Sequence, residues 1–203
     1  MAELKKASHS TQGRRGRRPL DEVRANVIDA AAQVLMEESI AGFTVEKVIR
    51  RSGVSSATIY KHWGSRGALA LDGFVHAVGE QLTCRDTGDI RRDLTDLLRA
   101  FIRVVTVKPV GQVFAQLIGA AQTDAELAAQ FEHHYFGPRR RQALELLAAA
   151  RERGQIRADA DLDALVDTVW GSCYLRLLLP NLTGVLVPSF AAEVVDLALR
   201  GAG

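Results

Sequence analysis

Two short helical patterns that meet at a glycine, from Thr44 to Trp63 (TVEKVIRRSGVSSATIYKHW), constrain this chain more than any other stretch. Thr44 is placed to accept a hydrogen bond from a free backbone N–H at a helix start, and Phe43 before it stands at staple spacing from Val48. Val45, Val48 and Ile49 recur at i, i+3 and i+4 and form one apolar stripe, with Glu46, Lys47, Arg50 and Arg51 on the wetter side. Gly53 adopts a left-handed conformation without steric cost and so ends the first helix, while Val54 stands where it can touch Ile49. Ser55 is the next N-cap.

Turning ~100° per residue from Ser56, the residues Ile59, Tyr60 and Trp63 gather on one side of the second helix. Ala57, Thr58, Lys61 and His62 occupy the other. One side packs on the partner helix, and the other is small, polar and able to hydrogen-bond base edges, which is the division of labour in a helix-turn-helix.

The pattern G-V-S-x-x-T-I-Y-x-H-W, followed by Arg66, resembles the DNA-binding segment of TetR-type transcriptional regulators over roughly residues 19–72. Thr44, Gly53, Val54, Thr58, Ile59, Tyr60, His62, Ser65, Arg66, Ala68 and Leu69 match the residue types of that pattern. The resemblance implies that Tyr60 and Arg66 contact phosphate, that Thr44 anchors the first of the two helices, and that Ser56, Ala57, Thr58, Lys61 and His62 face the groove, with Ser55 at the entry of the recognition helix. Gly64 and Gly67 depart from the family, which commonly has a bulkier residue and an acidic residue there. Both glycines weaken the start of the next helix.

Net charge becomes informative once divided along the chain. Residues 1–20 hold six cations against Glu3 alone, a net of +5, which leaves −3 for the rest of a chain whose total is +2. Such an arm follows an anionic polymer, with affinity that falls as salt rises. Arg14, Arg15, Arg17 and Arg18 lie in a glycine-interrupted run without hydrophobic periodicity; the resemblance implies that such an arm lies in the minor groove, and the alternative is a solvated tail.

The remaining pattern is all-α. A helix from Asp21 to Glu38 roofs the helix-turn-helix, and a fourth, from about Arg66 to Thr83, leads away from it. Helices follow over Asp89–Val107, Val110–Ala121, Asp161–Leu179 and Ser189–Leu199. Between them Thr123-Asp-Ala-Glu126 reads as a capping box, opening a helix that reaches Arg153 if Pro138 only kinks it. About nine helices are expected, divided into a basic arm (1–18), a DNA-binding domain (19–72) and a helical effector-binding and dimerisation domain (73–203).

The last two helices are apolar around much of their circumference, which marks an association surface; the alternative is that they complete the core of a single chain. The resemblance agrees with a homodimer built by these helices. It also implies a ligand cavity in the C-terminal region, for which Phe101, Phe114, Phe131, Tyr135, Trp170 and Tyr174 are candidate walls, although each is more often plain core.

No P-loop, dinucleotide fingerprint, HExxH or serine elbow occurs, and no set of titratable groups in the C-terminal half suggests catalysis, so neither enzyme activity nor a cofactor is expected. Glu132-His133-His134 is a poor metal site because consecutive residues on a helix point ~100° apart; a polar face with one histidine turned inward is the preferred reading. Cys84 and Cys173 read as incidental thiols. No apolar run approaches the ~18 residues of a membrane span, and no apolar signal core opens the chain, so cytoplasmic residence is expected. The expected function is a sequence-specific DNA-binding regulator, a dimeric repressor released from a palindromic operator by a small molecule. The alternatives are control by a protein partner or by no ligand.

Overall fold

The computed structural model describes residues 20–79, 82, 84–181 and 184–202. The residues described form ten α-helices, without strands: α1 (Leu20–Gly42), α2 (Val45–Ser52), α3 (Ser56–His62), α4 (Arg66–Val78), α5 (Ile90–Thr106), α6 (Val110–Ala121), α7 (Ala125–Phe131), α8 (Gly137–Glu152), α9 (Leu162–Leu178) and α10 (Phe190–Ala202). A π turn over Glu132–Phe136 joins α7 to α8 in one continuous run, so the rods number nine, as expected. No single helix among the described residues is long and apolar enough to cross a membrane.

The regular part of α1 ends where the sequence suggests, at Ser39, whose φ of 57° breaks the hydrogen-bond ladder before a last turn through Gly42. The Ile40 N–H freed there donates to Gln116 Oε1 on α6 at 3.1 Å, which ties the end of α1 to the C-terminal region. α1 and α4 cross closely. Ala31 and Ala32 line α1 at the crossing, and a Cβ at Gly73 would lie 2.9 Å from their backbone atoms, so only glycine permits this approach.

α4 stops at Val78, short of the expected Thr83, because Gly79 turns out of the helix with φ 57°. Asp124, not Thr123, caps α7: its side chain accepts from Leu127 N–H at 3.0 Å, while Thr123 donates back to the Ala120 carbonyl. Pro138 cannot donate to a carbonyl one turn earlier, and the π turn before it absorbs that loss without ending the rod. Neither histidine of Glu132-His133-His134 turns inward, contrary to expectation; both are exposed, with their rings 4.9 Å apart.

An aromatic cluster fills the centre. Phe114 on α6 stacks on Phe74 of α4 at 5.1 Å and also meets Phe101, Phe131, Tyr135, Phe136 and Tyr174. The cluster therefore joins α4 to α5, α6, α7, the π turn and α9 within one core.

Candidate nucleic-acid interface and ligand cavity

Local hydrogen bonds build the α2–α3 pair. The Thr44 side chain accepts from Lys47 N–H at 3.3 Å and the Ser55 side chain from Thr58 N–H at 3.4 Å, while Gly53 holds φ 68° and returns its N–H to the Ile49 carbonyl. Each such cap contributes about 1 kcal/mol. Asn26 on α1 donates to the Ser52 carbonyl at 2.8 Å, and Phe43, Val48, Ile59 and Trp63 close the core beneath. The Trp63 indole N–H donates to Asp72 on α4 at 2.9 Å, fixing the end of α3 on its support.

The outer side of α3 is open to solvent. Ser56, Ala57, Lys61 and His62 are exposed, Thr58 is half-buried, and its hydroxyl lies 3.0 Å from that of Ser55. Lys61 has no hydrogen bond or ion pair among the described residues. Tyr60 differs from the helical-wheel expectation: it is 53% exposed and does not pack with Ile59 and Trp63, because a two-turn helix buries only the narrow stripe those two share. Arg66 is exposed and donates through Nη1 to the Phe43 carbonyl at 3.3 Å, leaving other guanidinium donors free at the base of α3. Arg14, Arg15, Arg17 and Arg18 lie outside the described residues.

Gly64 and Gly67 acquire a reason. A Cβ at Gly67 would meet Leu127 of α7 at 3.3 Å, and one at Gly64 would meet Glu126 at 3.2 Å. The small residues let α7 lie against the start of α4, so the helix that carries the α2–α3 unit rests directly on the C-terminal region.

A cavity of about 440 Å³ opens between α5, the π turn, α8 and α9. Four of the six aromatic candidates, Phe101, Tyr135, Trp170 and Tyr174, line it. Phe114 and Phe131 do not; they stand one layer behind, in ring contact with Tyr135. Burial pushes the Tyr135 hydroxyl up to about 12 and that of Tyr174 well above its usual 10, with the Arg139 cation offsetting part of both rises. Cys84, also on the wall, is raised by burial as well, and Cys173 is raised to about 12 for the same reason.

Two family descriptions match the chain: "Bacterial regulatory proteins, tetR family" over residues 27–72, and "Tetracyclin repressor-like, C-terminal domain" over residues 84–198. The uncharacterized HTH-type transcriptional regulator YdeS of Bacillus subtilis is 34% identical over 192 residues, 94% of either chain. The chain belongs to the TetR family of transcriptional regulators. A solved member, the TetR family transcription regulator SCO0332, superposes with a TM-score of 0.79 at 48% identity, over 90% of this chain and 99% of that one. The DNA-binding transcriptional repressor TetR of Mycobacteroides abscessus is 26% identical over 175 residues, 85% of this chain and 89% of its own. These relatives are transcriptional regulators and not enzymes.

For a TetR family chain, the side chains that sequence reasoning missed are the charged ones on the cavity wall: Glu132, Arg139, Arg140 and Asp167. Few converging charges were expected in this half. Arg139 and Arg140 follow Tyr135 at i+4 and i+5 across the π turn, a spacing whose meaning depends on how that turn rotates α8.

Proposed function

We propose that this TetR family regulator is a homodimeric repressor that leaves a palindromic operator when a small molecule enters the cavity. The observation that carries the DNA-reading half is the outer side of α3, where Lys61 and His62 project from a capped, two-turn helix without a protein partner for the lysine. In this reading Ser56, Ala57, Thr58, Lys61 and His62 face the major groove, and Thr44, Ser55, Tyr60 and Arg66 set register through phosphate. The arm carrying Arg14, Arg15, Arg17 and Arg18 adds affinity along the minor groove. Residues 1–18, 19–72 and 73–203 act as arm, DNA-binding domain and effector domain, and the protein works in the cytoplasm.

Dimerisation is supported by the exposed apolar residues on α9, α10 and the segment between them: Leu175, Leu178, Val185, Val187 and Leu197. A two-fold axis there puts two copies of α3 in successive major grooves, about 34–36 Å apart or somewhat more. Ligand release is supported by continuity of packing. Tyr135 on the cavity wall lies 5.9 Å from Phe74 on α4, and both rings touch Phe114. A ligand that prefers one setting of this cluster biases α4, and it lowers DNA affinity only by its difference in affinity for the two settings. Control by a protein partner or by no ligand would suit a filled core, and the cavity favours a ligand instead.

Alanine substitution tests the assignment. Lys61→Ala is expected to weaken the cognate site by ~1–3 kcal/mol and relax preference at one base pair, whereas Arg66→Ala weakens all sequences alike. Fluorescence anisotropy against single-base operator variants reads both, and an unchanged ranking for Lys61→Ala would refute base reading by that residue.

A further inference from the structure

We infer that the cavity takes an amphiphile with an anionic head of the carboxylate class, gripped by Arg139 and the hydroxyls of Tyr135 and Tyr174, its tail lying on apolar wall residues. This deepens the ligand-released reading and rests on it. Arg139 donates through Nη1 to the Tyr135 carbonyl at 3.2 Å, and its guanidinium carbon sits 3.9 Å from the centre of the Tyr135 ring. Its Nε is buried and has no hydrogen-bond partner, and no carboxylate among the described residues pairs with it.

The neighbouring arginine is different. Arg140 pairs with Asp163 at 2.7 Å and with Asp167 at 2.6 Å, so its charge and that of Asp167 are already committed to each other. A half-buried guanidinium with no carboxylate beside it carries a charge that an incoming anion would complement.

The two tyrosine hydroxyls, on the same cavity wall, also lack a hydrogen-bond partner among the described residues. Both stay protonated throughout the physiological range, since burial raises them, and so both remain donors. The cavity wall thus carries an arginine without a carboxylate partner and two tyrosine hydroxyls without a protein acceptor, and a carboxylate supplies two acceptor oxygens and the compensating charge. Glu132 also lines the cavity, but it is exposed and its field is screened by water, whereas Arg139 Nε is shut away from solvent. Leu97, Phe101, Val166 and Trp170 supply the apolar remainder, and about 440 Å³ suits one medium-length chain.

The test compares decanoate, decan-1-ol and decylamine, three ten-carbon amphiphiles that differ in head charge, by calorimetry on the full chain and by operator binding in their presence. Decanoate is expected to bind at least about tenfold more tightly than decanol, the scale of a charge-assisted hydrogen bond. Arg139→Gln should bring decanoate to within about twofold of decanol, while Arg141→Gln, outside the cavity wall, keeps the preference. Tyr174→Phe, which deletes only a hydroxyl, should weaken decanoate several-fold and provides a second reading should Arg139→Gln fold poorly.

Decanol or decylamine binding as tightly as decanoate, an Arg139→Gln variant that keeps the preference, or no binding by any of the three would overturn the inference. A neutral or cationic probe that binds as tightly as decanoate and lowers operator affinity removes the anionic head but leaves release by ligand standing. Decanoate that binds through Arg139 without changing operator affinity keeps the head and removes release.

Discussion

Replacing Phe114 by alanine strikes the ring at the centre of the cluster between the cavity wall and α4. Phe114 is 0% exposed and meets six other aromatic rings. Returning its side chain to water forfeits roughly 2 kcal/mol of apolar burial. The space left, roughly 100 Å³, adds ~24 cal/mol per Å³, another ~2.4 kcal/mol, unless the surroundings collapse. They cannot collapse far, because the neighbouring rings are anchored on different helices. The loss should therefore be about 4 kcal/mol, read as a lower midpoint with an unchanged slope in guanidinium unfolding at one fixed protein concentration, since association shifts the apparent stability. A loss under about 1 kcal/mol would mean that the cluster is not the keystone of the core, and the packing argument for coupling would fall with it.

Two glycine substitutions of the same chemistry should move stability in opposite directions. Gly73→Ala costs ~1–3 kcal/mol because its Cβ meets the backbone of α1, whereas Gly119→Ala, open on the surface of α6, stabilises by up to ~1 kcal/mol; thermal melts decide both. Between pH about 10 and about 12 the unfolded chain has given up the Tyr135 proton while the folded protein keeps it, so stability falls as pH rises across that window. Tyr135→Phe should flatten that slope in denaturation series taken through the window. Leu197, 71% exposed in the single chain, should tolerate charge in a monomer but not at a subunit interface; Leu197→Glu is expected to halve the mass seen in sedimentation while leaving the helical signal intact.

The parts legible in the sequence were those written locally. Thr44, Gly53 and Ser55 each act within three or four residues, and the caps they predict are present. The same locality misled at Tyr60, where periodicity gives direction but not how wide a stripe a short helix can bury. Thr123 and Asp124 compete for one cap, and nothing local decides between them. The expected tail of α4 past Val78 overlooked the positive-φ turn at Gly79. Gly64 and Gly67 looked like defects until α7 was seen lying against them. Arg139 was the least readable, since an arginine becomes a site only through the absence of a carboxylate, and that absence is a property of the packed molecule.

Selection of bound fragments from random duplex DNA with the purified protein shows whether two copies of α3 read DNA as a symmetric pair. The expected outcome is enrichment of a palindrome whose half-site centres lie about one helical turn apart or somewhat more, matching two copies of α3 on a two-fold axis. No enrichment, or a single half-site bound by one chain, would contradict it.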